Sequence, residues 1–439
     1  MNAGTLRSRV LFICADPVGD RMAGLGIRYS EMARVLADHA DVTVAHGGQG
    51  STPLAEGVAT VPYRPHAPVA LRPLIEAADV VVCHPQWPLV TGWLRRSRAR
   101  VVFDLYDPES LETLELLADR HMIERRLMDR LAGDRLRDAL RTGHHFMCAS
   151  EKQRDLWLGT MLGLGMVDPE QYDRDPSFRS VIDVVPFGVP SQRPPEAARG
   201  PGPRERFAQI GPDADIVLWN GGLWRWLDVE TAIRGVVALT DRRPEVKLVF
   251  MGGSRQPAAL EATEDARRLA LELGVLDRTV FFNDRWVPYG ERAAWLAQAE
   301  CALSTHHDHL ESRYAFRTRM LDCFWAGVPV VCTLGDDLAE RVEREELGIA
   351  VPPGDAHAVS TALEDVLDRG RQAYAAALAR AAAAYEWNRV ARPLLGWVTD
   401  PTPAQARTVM GRRLIPPAQR ARALAYRLGG RHLLARRSR

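Results

Sequence analysis

Lysine is nearly absent from this chain. Of 57 basic residues, only Lys152 and Lys247 are lysines and the rest are arginines, a bias that points to a GC-rich genome of the actinomycete kind. The 56 acidic residues bring the formal net charge to +1, which argues against a chain that binds nucleic acid through overall positive charge. No apolar run reaches the roughly 18 residues of a transmembrane helix. The N-terminal MNAGTLRSRV enters a strand-like segment without the apolar core and cleavage site of a secretory signal. The six cysteines (Cys14, Cys83, Cys148, Cys301, Cys323 and Cys332) form no CxxC pair. Most sit in or beside apolar runs, where cysteine behaves as a small buried hydrophobe. A cytoplasmic protein with no disulfide framework and no zinc site is expected. Two nucleotide signatures are also missing. There is no GxxxxGK[ST], so P-loop chemistry is excluded. The glycine loop Gly19, Gly24, Gly26 is not GxGxxG, and the second strand ends in Ala45-His46 rather than an acidic residue, which argues against a nicotinamide dehydrogenase.

What is present is a 439-residue chain, 46% hydrophobic, long enough for two or three domains. Short β-rich runs alternate with helical patterns: 10–15, 41–45, 79–83, 101–104, 145–149 and 181–185. Such continuous apolar runs between helices predict strands buried on both faces of a parallel sheet. Residues 191–215 are rich in Pro and Gly and read as a linker. The pattern then restarts at 216–219, 247–251, 279–282, 301–304 and 328–332. The expected fold is α/β: two Rossmann-like parallel-sheet domains, 1–190 and 216–385, facing each other across a cleft. Residues 386–400 follow as a crossover helix and 401–439 as a basic tail. Ligands are expected at the carboxyl ends of the strands, in the cleft between the domains.

Several segments carry more specific patterns: VLWNGGLWRWLDVETAI at 217–233, RPEVKLVFMGG at 243–253, TVFFNDRWVPYGERAAWLAQAE at 279–300, CALSTHHDHLESRYAFRTRMLDCFWAGVPVVCT at 301–333 and LGIAVPPGDAHAVSTAL at 347–363. In order and spacing these resemble the family four (group 1) retaining, nucleotide-sugar-dependent glycosyltransferases of GT-B fold, over nearly the whole chain to about residue 400. The resemblance implies that the second domain holds a nucleotide-diphosphate sugar as co-substrate, with no other cofactor and no catalytic metal. The first domain would hold a small-molecule or lipid-linked acceptor, in secondary-metabolite or cell-surface glycan synthesis.

The resemblance also assigns residues. Asp322 precedes Ala326-Gly327-Val328-Pro329-Val330-Val331 at the spacing of the family's ribose-binding carboxylate, a group suited to two vicinal hydroxyls. The family's other acidic residue lies eight positions earlier, where this chain has Tyr314; Glu311 is the candidate substitute. The family clamps the diphosphate with a Gly-Arg-Leu and a nearby Lys. Here those positions read Gly221-Gly222-Leu223 and Leu227, so Arg225, Arg317 and Arg319 are the candidate replacements. Phe316-Arg317-Thr318 is expected to open the helix that carries Asp322. Trp286 and Tyr289 would frame the nucleotide base, with Trp286 alternatively a core residue. Gly24 and Gly26 either bring a helix N-terminus to phosphate or only satisfy sterics. His84, at a strand end, would lie near the donor sugar. Asp104 and Asp107 would contact the acceptor or its reacting hydroxyl, with Asp107-Pro108 alternatively a turn. His306, His307, Asp308 and His309 are too densely spaced for one metal shell, and Asp336-Asp337 reads as a loop and helix start.

Other functions of the same fold remain open: a nucleotide-sugar epimerase, a pseudo-glycosyltransferase with a cyclitol donor, or a non-catalytic nucleotide-binding subunit. Residues 401–439 hold ten Arg and no Asp or Glu. They are read as a peripheral membrane contact, a segment packed on its own acidic body, or a disordered end.

Overall fold

The computed structural model describes residues 7–49, 54–194, 200–252 and 257–400; the basic tail lies outside the described residues. Two parallel sheets organise the chain. The first contains β1 (Arg9–Cys14), β2 (Asp41–His46), β3 (Val58–Pro62), β4 (Val80–Cys83), β5 (Arg100–Asp104), β6 (His145–Cys148) and β7 (Ile182–Val184), in the order β3-β2-β1-β4-β5-β6-β7. The second contains β8 (Ile216–Trp219), β9 (Lys247–Phe250), β10 (Val280–Phe282), β11 (Cys301–Ser304), β12 (Val330–Thr333) and β13 (Gly348–Val351), in the order β10-β9-β8-β11-β12-β13. Every strand pair is parallel, with Val10 flanked by Val42 and Val80 in the first sheet. Central strands such as β4 and β8 are buried throughout, because helices cover both faces.

Strand order reverses between β1 and β4 in the first sheet and between β8 and β11 in the second. In open parallel sheets such reversals leave a crevice at the carboxyl ends of the strands. The chain leaving β4 there begins with His84, and the chain leaving β8 begins with Asn220-Gly221-Gly222. The topology thus picks out these two segments before any side chain is considered.

Two strands escape the sequence pattern. β3 is a half-exposed edge strand that ends in Pro62. β13 is the opposite edge of the second sheet, only four residues long. β3 interrupts its apolar run with Thr60, whereas β13 (Gly348-Ile349-Ala350-Val351) is apolar throughout. The Pro/Gly-rich segment is also more built than a tether. Arg204 donates to the carbonyls of Gly211, Pro212, Ala214 and Gln298, and Phe207 packs on Phe281 with ring centroids 5.3 Å apart. Residues 200–214 therefore belong to the second unit. Helices Trp387–Val390 and Arg392–Thr399 return to the first. Val189 and Trp387 exchange backbone hydrogen bonds with the opposite segment, Phe187 packs on Trp387, and Arg100 stacks on Trp397. All six cysteines are buried and free. Among the described residues no helix is long and apolar enough to cross a membrane.

Candidate functional site

The first unit's wall of the cleft is a chamber lined by His84, Asp104, Tyr106, Asp107, Glu109 and Glu112, with Trp157 and Leu136 among its apolar walls. These residues cluster because β4 and β5 end side by side and the chain then turns into helix Glu109–Leu116. Pro108 is that helix's N-cap, and the Asp107 carbonyl accepts from Glu109 N–H at 2.9 Å. Asp107-Pro108 is thus a turn that also leaves the Asp107 side chain on the chamber wall.

Asp104 differs from expectation. It is fully buried, and both carboxylate oxygens are held by Arg28: Nε donates to Oδ2 at 2.7 Å and Nη2 to Oδ1 at 3.1 Å. Arg28 also donates to the carbonyls of Val185 and Pro186. Burial pushes the Asp104 carboxyl up and Arg28 pulls it back. A carboxylate committed in this way fixes the chamber floor instead of meeting an acceptor. Arg28 carries no motif, and nothing in the sequence pairs it with a residue 76 positions away.

His84 is kept neutral: burial, aided by Arg135, pushes its pKa down to about 4. Gln86 Nε2 lies 3.3 Å from its ring nitrogens. Glu112, which the sequence reading missed, moves the opposite way. Burial and the nearby Glu311 and Glu109 raise it to about 7, with Arg317 opposing. Asp107 is exposed at the chamber mouth, where desolvation by the chamber wall and the nearby Glu112 and Asp104 carboxylates oppose its ionisation and raise its pKa. Gly26 has a packing role, since a Cβ there would come within 2.4 Å of the Pro17 carbonyl oxygen. Gly24 lies at the chamber edge, where a Cβ would sit 3.3 Å from the Tyr106 hydroxyl. It starts helix Gly24–Ala37, whose N-cap, Ala23, supplies no side-chain cap.

The second unit's wall begins at Gly221 and Gly222. Gly221 has φ +136°, and a Cβ on Gly252 would come within 2.4 Å of the Gly221 carbonyl oxygen, so the loops after β8 and β9 pack backbone against backbone. Helix Arg319–Ala326 starts beside them: Asn220 Nδ2 donates to the Arg319 carbonyl at 2.8 Å. Phe316 and Arg317 are buried just before that start, and Thr318 is its N-cap. Asp322, in the first turn, accepts from Arg292 Nε at 3.0 Å. The Arg292 guanidinium is sandwiched between Tyr289, 3.6 Å from its ring centroid, and Trp325, at 4.6 Å. Tyr289 therefore carries a cation on its ring where an open base platform was expected. Asp322 remains part-exposed. The Trp286 indole donates across the cleft to the Asp20 carbonyl at 3.0 Å.

Two phosphate candidates are already neutralised. Arg317 is paired bidentately with Glu311, at 3.1 and 2.7 Å, and both are buried. Glu311 is consequently not free to take the sugar-binding role of the missing carboxylate. Arg225 is ion-paired with Asp119 of the first unit and with Glu261. The three histidines diverge: His306 is buried beside Asp336, His307 is exposed near Asp228, and His309 caps helix Leu310–Tyr314. Asp336 caps helix Asp337–Arg344. Among the described residues no group of three or more His, Cys, Asp or Glu side chains is placed to hold a metal.

This architecture has close counterparts. Over 89% of this chain and 100% of the other, it superposes on WaaG, a glycosyltransferase involved in lipopolysaccharide biosynthesis, with a TM-score of 0.60 at 19% identity. Anabaena HepE, solved with UDP and glucose, matches over 90% and 100% with a TM-score of 0.62 at 13% identity. Sucrose-phosphate synthase from Thermosynechococcus elongatus matches over 89% and 98%, with a TM-score of 0.59 at 17% identity. The fold is GT-B. Residues 214–369 match the family model described as Glycosyl transferases group 1. No curated protein matches the chain in sequence.

Proposed function

We propose that the chain is a glycosyltransferase that moves a sugar from a nucleoside-diphosphate sugar to an acceptor hydroxyl, with retention and without a metal. The observation that carries this reading is the facing of two unlike walls across one cleft. On one side, side-chain-free backbone at Gly221–Gly222 lies next to a helix start that presents Asp322. On the other is a largely apolar chamber into which a few polar groups project, among them a neutral His84. The first suits a diphosphate and ribose, the second an acceptor that brings one reacting hydroxyl to an otherwise apolar wall. HepE, solved with UDP and with UDP-glucose, supports a nucleotide-sugar donor, and the group 1 match over the donor-side unit supports its placement.

In the reaction the bond from the anomeric carbon to the phosphate oxygen breaks, and the nucleoside diphosphate leaves with the electron pair. The acceptor oxygen bonds to the same carbon, and its proton passes to the departing phosphate. The chain's residues would align the partners and exclude water as the cleft closes, which limits donor hydrolysis. WaaG's lipopolysaccharide role favours a cell-surface glycan, with a soluble secondary metabolite as the other product class. Co-sedimentation with anionic vesicles, comparing the whole chain with one ending at Asp400, separates a lipid-linked acceptor from a soluble one.

Calorimetry with UDP, GDP, ADP and dTDP, followed by incubation with the sugars of whichever binds, tests the proposal. Transfer to an acceptor, with the anomeric configuration of the product matching that of the donor by NMR, is the expected result. Binding of none of the four would end this reading. Conversion of the donor to its epimer without acceptor would replace it with an epimerase.

A further inference from the structure

A departing diphosphate needs compensating positive charge, and a low-dielectric site makes that charge count for more. The positions that resemblance assigns to the clamp are Gly222 and Leu227, which are uncharged, while Arg317 and Arg225 are spent on carboxylates. Arg319 is different. Its Nη2 donates to the Gly222 carbonyl at 2.9 Å, and its guanidinium lies 5.3 Å from the centroid of the buried Trp219 ring. Its Nη1 is buried with no hydrogen-bond partner, and among the described residues no carboxylate pairs with it.

The surroundings of Arg319 expose this charge to the turn. A Cβ on Gly221 would lie 3.4 Å from the Arg319 Cζ, so the guanidinium rests against the bare backbone of the turn after β8. Arg319 also begins an eight-residue helix, whose first N–H groups add partial positive charge on the same side. Desolvation and the neighbouring Arg317 push the half-buried guanidinium down to about 9. An unpaired buried charge is costly to a folded protein. A dianionic ligand beside it would remove that cost.

We propose that Arg319 supplies the positive charge that holds the donor diphosphate, acting at the Gly221–Gly222 turn in place of the two cations missing there. This rests on the nucleotide-sugar reading above and assigns one of its binding residues. The cation reaches the turn from a different helix.

The test compares wild type, R319M and R319K by calorimetry with the nucleoside diphosphate that wild type binds and with the corresponding nucleoside. Thermal midpoints are measured without ligand. A lost charge-assisted contact corresponds to a drop in affinity of roughly 10- to 150-fold. R319M should show it for the diphosphate and leave the nucleoside unchanged, and R319K should recover part of it. The ligand-free midpoint of R319M should equal or exceed that of wild type, because an unpaired charge has gone. A structural role gives the reverse pattern: a lower midpoint, with diphosphate and nucleoside weakened alike. That result, or unchanged diphosphate affinity in R319M, overturns the assignment. If R319M does not fold, the diphosphate-to-nucleoside ratio of R319K decides, and an unchanged ratio overturns it. Wild type binding no nucleoside diphosphate would instead remove the nucleotide-sugar reading itself.

Discussion

Glu311 and Arg317 face each other with both guanidinium Nη groups on the two carboxylate oxygens, at 3.1 and 2.7 Å, almost wholly out of water. Each charge satisfies the other, and Ser312 Oγ accepts a further hydrogen bond from Arg317. Removing one partner should be far worse than removing both. E311Q or R317M leaves an uncompensated buried charge, which costs about 3–5 kcal/mol. The double variant E311L/R317M should be much closer to wild type. Urea denaturation of the three variants checks this, and single variants costing as little as the double one would show the pair to be solvated.

Asp322 should matter to ribose and not to phosphate. D322N should weaken nucleoside and nucleoside diphosphate equally, by about 1.5–3 kcal/mol for the loss of a hydrogen bond from a charged group. The fold should survive, because Arg292 keeps its bond to the Tyr289 carbonyl at 2.7 Å and its place between two rings. Calorimetry with both ligands reads this directly. Selective loss of the diphosphate would move Asp322 away from the ribose.

The sequence carried the repeated strand–helix pattern because buried parallel strands must be apolar along their whole length. It missed β3 because that half-exposed edge strand carries Thr60 and ends in Pro62; β13 is apolar throughout, and its composition does not hide it. Among site residues, backbone-defined features were the readable ones: the turn at Gly221-Gly222, and the helix start before Asp322. Pairings were not. Arg317 and Glu311 are six residues apart and were each assigned to the ligand, yet a one-turn helix brings them onto each other. Arg28 and Asp104 are joined only by the sheet. In a chain where 55 of 57 basic residues are arginine, composition could not single out Arg319. What distinguishes it is a buried Nη1 without a hydrogen-bond partner beside the Gly221–Gly222 turn, which is a property of the fold.

The cleft is bridged by ion pairs at its rim. Arg225 joins Asp119 to Glu261, and Arg120 reaches Glu261 at 3.5 Å. Such part-exposed pairs are worth about 0–1 kcal/mol each and are screened by salt. R225A should therefore change overall stability by no more than about 1 kcal/mol while favouring an open cleft. The expected signs are a larger radius of gyration by small-angle scattering and faster donor hydrolysis relative to transfer. High salt should bring wild type toward the variant. A variant with unchanged radius and unchanged partition would show that the rim pairs follow closure and do not hold it.

The chamber contains two groups that titrate in opposite senses, so their effects on stability oppose each other. Glu112 rises from an ordinary value of 4.5 to about 7. The folded state thus binds more protons than the unfolded chain between those values, and stability falls as pH rises through that window. His84 drops from 6.5 to about 4. Here the unfolded chain binds more protons, and stability rises with pH between about 4 and 6.5. Between about pH 4.5 and 6.5 the two slopes offset each other, and between 6.5 and 7 only the fall due to Glu112 remains. E112Q should therefore gain stability relative to wild type as pH rises from 4.5 to 7, and H84Q should lose it from 4 to 6.5. Thermal midpoints across pH 4 to 7.5, taken as variant minus wild type so that other carboxylates cancel, give both slopes. Asp107 remains coupled to Glu112 by repulsion, so E112Q also eases its ionisation and adds to the gain in the same direction. A flat difference profile for E112Q would show that the Glu112 carboxylate is ionised in the folded chamber, with its charge already compensated.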